Sequence, residues 1–275
     1  MNNYYKIRND IMFKTIFQAE ENRPLLKRLI EEVIHEEVEI ENVLMSELNN
    51  DRISIRRKVL DVIVKANGKK INIEINSNNR RYFRRRNAAY VFKLYSDSIR
   101  KGSSYNMMDE IIQINLSVEY EETGHFPLIG EYTIHDTKIN RDYIDNFKIY
   151  EINITEMAKL CYNGEKEMCL LGMLDMNYDE IVSIEGDEYM DKLKDEAIKL
   201  NNDDEMIELM SAEEEEEMTL NTYKAMGIEE GMEKGIEENK LDMVKKMLKE
   251  NIDTSTISKV SGLSKERIEE IDGQN

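Results

Sequence analysis

Residues 56–77 read RRKVLDVIVKANGKKINIEINS, and this stretch decides the fold. Asn67-Gly68 separates two runs in which apolar and polar side chains alternate. Between such runs that dipeptide is the strongest short hairpin signal, because both residues tolerate the positive φ of a two-residue type I′ turn. The turn sets the register. Ala66 faces Lys69, and each step outward adds one residue on either strand. Leu60, Val62, Val64, Ile71, Ile73 and Ile75 then share one wholly apolar face. Val59, Asp61, Ile63, Lys65, Lys70, Asn72, Glu74 and Asn76 share the other. In this register Asp61 stands directly opposite Glu74, with Cβ atoms about 4.5–5.5 Å apart.

Two carboxylates so placed repel and destabilise the sheet unless something compensates. One route raises the pKa of one acid, and the other puts a cation between them. Oxygen ligands with waters completing the shell suit Mg²⁺ or Mn²⁺, and such an ion can activate water at a phosphoryl centre. The plain alternative is a polar face that meets solvent, the common fate of one side of an antiparallel sheet.

The flanking sequence extends the pattern. Residues 9–19 predict a helix with Asn9 or Asp10 as cap, and 22–34 a second with Asn22 as N-cap and Pro24 in its first turn. A strand is expected around Val38–Leu48. After the hairpin, residues 80–101 (RRYFRRRNAAYVFKLYSDSIRK) read as a basic helix packed through Phe83, Ala89, Tyr90, Leu94 and Ile99 and ended by Gly102. Ile111–Val118 predicts a central strand, and Tyr132–Ile134 and Phe147–Ile154 predict further strands. Residues 1–155 are therefore expected to form one α+β domain with a mixed sheet. Residues 156–205 read as a helical extension. Residues 206–275 read as an acidic, mostly helical tail, with Gly227, Gly231 and Gly235 four apart and a helix-turn-helix-like segment around Gly262.

Charge divides the chain in the same way. Lys and Arg number 38 against 57 Asp and Glu, a formal net charge of -19, which taken alone argues against nucleic acid. Residues 1–150 hold 24 basic and 23 acidic side chains, whereas 151–275 hold 14 and 34. Between Arg52 and Lys101 there are 15 basic residues and only Asp61, Glu74 and Asp97 as acids. A basic rim around an acidic metal pair is the arrangement that polyanion cleavage needs, with phosphates held by Arg and Lys. Salt bridging of these arginines to the acidic half is the competing use. The three histidines are scattered. Cys161 and Cys169 show neither metal-ligand spacing nor a disulfide framework, so a reducing cytoplasm is expected. No run of apolar residues is long enough for a membrane span.

Several ordered segments resemble the Rpn family (recombination-promoting nuclease or transposase) of the PD-(D/E)XK nuclease superfamily. They are DIMFKTIF at 10–17, LDVIV at 60–64, IEIN at 73–76, the spacing of Phe83, Arg86 and Tyr90, KLY at 93–95 and the Gly102–Tyr105 pair. The resemblance covers roughly residues 1–155 and continues into the glycine-punctuated tail. It implies a restriction-endonuclease-like α/β/α core, a mixed sheet flanked by helices, and Mg²⁺- or Mn²⁺-dependent hydrolysis of DNA phosphodiesters linked to recombination or mobile elements. It implies Asp61 and Glu74 as metal ligands, joined by the Ile75 carbonyl and by Asp10. The superfamily motif has Lys, and the family often Gln, where this chain has Asn76. Asn can orient water but carries no charge, and Lys14 is the residue that could replace the missing lysine. Arg80, Arg81, Arg84, Arg85, Arg86, Tyr90 and Lys93 are the expected DNA contacts. Asn76 also supports a second reading, a degenerate nuclease fold kept as a DNA-binding or protein-interaction module. For the acidic tail two roles are expected, folding back over the basic face or assembling chains into a homo-oligomer.

Overall fold

The computed structural model describes residues 4–44, 62–77, 83–98, 104–105, 108–118, 127–165 and 167–273. The chain opens on α1 (Asp10–Gln18), where the Asn9 side chain accepts the Met12 N–H at 3.1 Å and so satisfies one of the free donors of the first turn. Helix α2 (Arg23–Ile34) follows a 3₁₀ turn (Glu20–Asn22). Asn22 makes no side-chain cap there, contrary to expectation. Its backbone lies near the helical region (φ -102°, ψ 10°) and its side chain is buried.

Strand β1 (Ile40–Leu44) leads to the hairpin of β2 (Val62–Ala66) and β3 (Lys69–Asn76). Asn67 and Gly68 both adopt positive φ (48° and 73°), as a type I′ turn requires. The observed pairs run from Ala66↔Lys69 to Val62↔Ile73, the expected register. Val59, Leu60 and Asp61 lie outside the described residues. The turn is also tied to the approach to β1. Asn67 Nδ2 donates to the Glu37 carbonyl at 2.8 Å, and Asn67 Oδ1 accepts the Glu39 N–H at 2.9 Å.

Helix α3 (Phe83–Asp97) crosses over to β4 (Glu110–Ser117), which pairs parallel to β3. Next come β5 (Ile129–Tyr132), a two-residue pair β6 (His135–Asp136) and β7 (Arg141–Asp142), and β8 (Phe147–Asn153). The main sheet has the order β1-β2-β3-β4-β8-β5, with β3, β4 and β8 parallel and the outer strands antiparallel. It is a mixed sheet flanked by helices.

The two faces differ in chemistry. Val62, Val64, Ile71, Ile73, Ile75, Ile112, Ile114 and Leu116 point into the main core with Met12, Phe13, Ile16 and Phe17 of α1 and the apolar stripe of α2. The same core takes in α4 (Ile154–Tyr162), α5 (Cys169–Met173), α6 (Tyr178–Ser183) and α7 (Glu188–Asn201). Gly172 lies inside α5 rather than breaking it. A Cβ there would stand 2.8 Å from the Met157 carbonyl oxygen, so glycine is what lets α5 press on the backbone of α4. That approach also brings Cys161 and Cys169 to a Cα separation of 5.3 Å, and the two are joined as a disulfide. The expectation of unlinked cysteines is thus overturned. Eight residues of sequence separation gave no sign that two packed helices would meet there.

The opposite face carries α3. Its buried residues are Phe83, Asn87, Val91 and Leu94, a stripe shifted from the expected one. Ala89 is exposed and Tyr90 half-buried. The expected Ile99 and Gly102 lie outside the described residues. Val91 and Leu94 pack on Ile111 and Phe147, and Phe92 stacks on Phe147 at 5.4 Å.

Helix α8 (Asp204–Lys249) is 46 residues long and is followed by α9 (Thr254–Ser261) and α10 (Lys265–Asp272). The chain divides into two compact units, 1–210 and 211–275. In the second unit Leu241, Val244 and Leu248 of α8 form a small core with Ile257, Ile268 and Ile271. Gly262 ends α9 with φ 69°, the helix-turn-helix-like arrangement expected around it. No helix among the described residues is long and apolar enough to cross a membrane.

Candidate active site

The face of the hairpin that could have met solvent is instead buried beneath α3. Glu74 is 3% exposed, Asn72 fully buried and Asn76 4% exposed. The parallel register lines each of them up with a polar neighbour. Asn72 pairs with Gln113, Glu74 with Asn115 and Asn76 with Ser117. One strand further, Asn115 pairs with Glu151 and Ser117 with Asn153. Two carboxylates, Glu74 and Glu151, therefore flank Asn115 in a single row across β3, β4 and β8. Gln113, Asn115, Ser117, Glu151 and Asn153 are all buried. Sequence reasoning missed them, although polar residues at alternate positions of QINLS (113–117) and EIN (151–153) were a readable signal.

Hydrogen bonds knit this face together, as a buried polar layer requires. Asn72 Nδ2 donates to Glu74 Oε1 at 3.1 Å and to Gln113 Oε1 at 2.8 Å. Gln113 Nε2 donates to Asn115 Oδ1 at 2.8 Å, and Asn115 Nδ2 donates to Glu151 Oε1. From the helix above, Asn87 Nδ2 reaches Asn115 Oδ1 at 2.9 Å and Asn76 Oδ1 at 3.3 Å. Arg86 Nη2 donates to the same Asn76 oxygen at 2.6 Å, while Asn76 Nδ2 donates to Ser117 Oγ at 3.0 Å. Asn76 thus holds a guanidinium from α3 against the sheet. In this layer two buried acceptors, Asn72 Oδ1 and Glu151 Oε2, find no hydrogen-bond partner among the described residues. Arg84 Nε lies 3.8 Å from the latter. Burial pushes the Glu151 carboxyl up to about 7, with Arg84 and the Asn115 hydrogen bond pulling the other way.

This polar ground lies at the carboxyl ends of the parallel strands, beneath the first half of α3, where open α/β sheets place their ligands. The amino ends of β4 and β8 carry Ile111 and Phe147 instead. The start of the chain closes the same edge. Arg8 donates to the Ser77 carbonyl just beyond β3. Lys6 Nζ and Arg8 Nε lie 2.9 and 2.6 Å from Asp175 Oδ1, and Thr155 Oγ1 donates to Asp175 Oδ2 at 2.8 Å. Helix α1 therefore begins beside the strand end that carries Glu74 and Asn76. At its start Lys14 Nζ bonds Asp10 Oδ2 at 2.7 Å.

Among the expected DNA contacts, Arg84 and Arg85 are exposed on α3. Arg86 is turned into the site, with its guanidinium carbon 5.9 Å from the Tyr90 ring centroid. Lys93 pairs with Asp97 at 2.6 Å one turn along the helix. Arg80, Arg81 and Asp61 lie outside the described residues. Among the described residues no three His, Cys, Asp or Glu side chains form a metal-binding group.

A mixed sheet with buried carboxylate and amide rows at the ends of its parallel strands, under an arginine-bearing helix, defines a restriction-endonuclease-like fold. The chain belongs to the PD-(D/E)XK nuclease family transposases, whose family model matches residues 7–230. No curated protein and no solved structure matches it.

Proposed function

We propose that this protein is a divalent-metal-dependent DNA endonuclease acting in recombination or in the movement of mobile elements. The observation that carries this reading is Glu74, a carboxylate buried in a continuous polar layer whose other members Asn76 and Glu151 are met from α3 by Arg86 and Arg84. The donor set suits a small oxygen-ligated cation, since Asn72 Oδ1 and Glu151 Oε2 are buried oxygens without hydrogen bonds among the described residues. Asp61, Glu74, Asp10 and the Ile75 carbonyl would hold Mg²⁺ or Mn²⁺. Such an ion supplies Lewis-acid stabilisation of phosphoryl charge and a bound water of lowered pKa.

The remaining work falls to the chain. Asn76 and Lys14 orient the attacking water, and Asn76 is itself held by Ser117, Asn87 and Arg86. The Arg86 guanidinium brings a fixed positive charge to a position where the strand has only an amide, and its fork suits phosphate oxygens. Arg84, Arg85, Lys93 and Tyr90, with Arg80 and Arg81 before them, hold the DNA backbone along α3.

Purified protein should nick supercoiled DNA with Mg²⁺ or Mn²⁺. Glu74→Ala and Asp61→Ala should each lower cleavage at least about 100-fold, the scale on which single catalytic groups act. They should also abolish saturable Mn²⁺ binding in calorimetry. Variants that cleave as fast as wild type would sink the assignment. A wild type that binds DNA but neither binds metal nor cleaves would favour the second reading, a degenerate nuclease fold, which the full occupation of the Asn76 side chain supports. Action on intracellular DNA would be carried out in the cytoplasm.

A further inference from the structure

The part of α8 that belongs to the 211–275 unit carries apolar side chains that are exposed among the described residues. Met218, Ala225, Ile228, Met232, Ile236 and Met243 follow one another at steps of seven, three, four, four and seven, which sets them along one flank of a helix. All six are exposed, and Ile228, Met232 and Ile236 are 63–65% exposed. The flank is not the one that packs on α9 and α10, for which α8 uses Leu241, Val244 and Leu248. A contiguous apolar stripe of this length marks an interaction surface.

We propose that the stripe is the contact between two copies of this chain, α8 lying antiparallel on its counterpart and crossing near Glu230–Gly231. The order of the apolar residues is nearly mirror-symmetric about that point. Antiparallel pairing sets Met218 against the partner's Met243, Ala225 against Ile236, and Ile228 against Met232. Such self-complementarity is what a two-fold interface requires.

Charge selects the same direction. The acidic run Glu213–Glu217 mirrors onto residues 244–248, which include Lys245 and Lys246, with Lys249 just beyond. Lys246 already meets Asp242 at 2.6 Å on its own helix, but that pair is exposed and leaves the lysine available to a second carboxylate. Parallel pairing would instead stack five glutamates on five and the lysines on one another, which costs stability. This inference is independent of the nuclease reading.

Sedimentation of the full chain at micromolar concentration tests it. Wild type should run at twice the 32.4 kDa of one chain. Ile228→Glu with Met232→Glu should run at the monomer mass while keeping its helical circular dichroism, since both positions are exposed. Polarity is read by oxidative cross-linking. A mixture of Met218→Cys and Met243→Cys chains should give a cross-linked dimer that neither variant gives alone. A monomeric wild type, a double variant that stays dimeric, or self-cross-linking of Met218→Cys would each overturn the proposal.

Discussion

At the scale of single residues, Glu151 shows how a surrounding sheet changes an ordinary side chain. Its carboxyl is raised from 4.5 to about 7, chiefly by burial. Between those values the folded chain keeps a proton that the unfolded chain has released. Stability from this group is therefore complete below about pH 4.5 and falls as pH rises to about 7, by up to ~3 kcal/mol. Glu151→Gln should remove the loss. The variant's unfolding free energy should gain on wild type between pH 5 and pH 8 in denaturant titrations, and a constant difference would refute the assignment. Glu32, also raised to about 7 by burial, is present in both proteins and cancels in the comparison. In the sequence, Glu151 is one acid among 57. The alternation in EIN (151–153) sets it on one strand face with Asn153, but its environment is decided by Asn115 from one strand and Arg84 from a helix.

At the scale of elements, the hairpin was readable because its determinants are local. Alternation and Asn-Gly chemistry specify turn type and register within a dozen residues. Gly68 has φ 73° with open space around its absent Cβ. Gly68→Ala therefore tests backbone strain without a clash. It should cost about 1 kcal/mol and lower the melting temperature by about 2–4 °C; an unchanged melting temperature would contradict this. Helix α3 was read correctly in kind but not in facing. Tyr90 was expected inside, and Asn87 was not expected to be buried at all. A buried Asn pays for itself only through partners such as Asn76 and Asn115, which lie on other elements. The α4–α5 disulfide is a similar case. Closing so short a loop contributes about 2–3 kcal/mol in the chain-entropy account. Reductant should lower the midpoint of wild type and leave Cys161→Ser, already lowered, unchanged; a wild type insensitive to reductant would refute that contribution.

At the scale of the whole molecule, the site and its supporting core lie within residues 1–210, while 211–275 has its own small core. A chain ending at Met210 should keep saturable Mn²⁺ binding with an affinity within about threefold of full length, within the additivity expected of distant parts. Loss of binding would mean that the site depends on the second unit. The net charge of -19 combines the basic window at 52–101 with an acidic second half. The whole-chain figure therefore says little about the surface that a polyanion would meet.

The sequence by itself determined the hairpin and its register, the separation of polar from apolar faces, the order of helices and strands, and the family. All of these are written in short-range periodicity and turn chemistry. Only the tertiary structure decided that the polar face is buried, that Glu74, Asn115 and Glu151 share one row, and that Arg86 reaches Asn76. Those outcomes depend on parallel pairing between strands some forty residues apart and on the helix laid across them. Single-chain patterns hold no record of whether a helix will cover a polar face, because burial becomes favourable there only once the partners from β3, β4, β8 and α3 are all present.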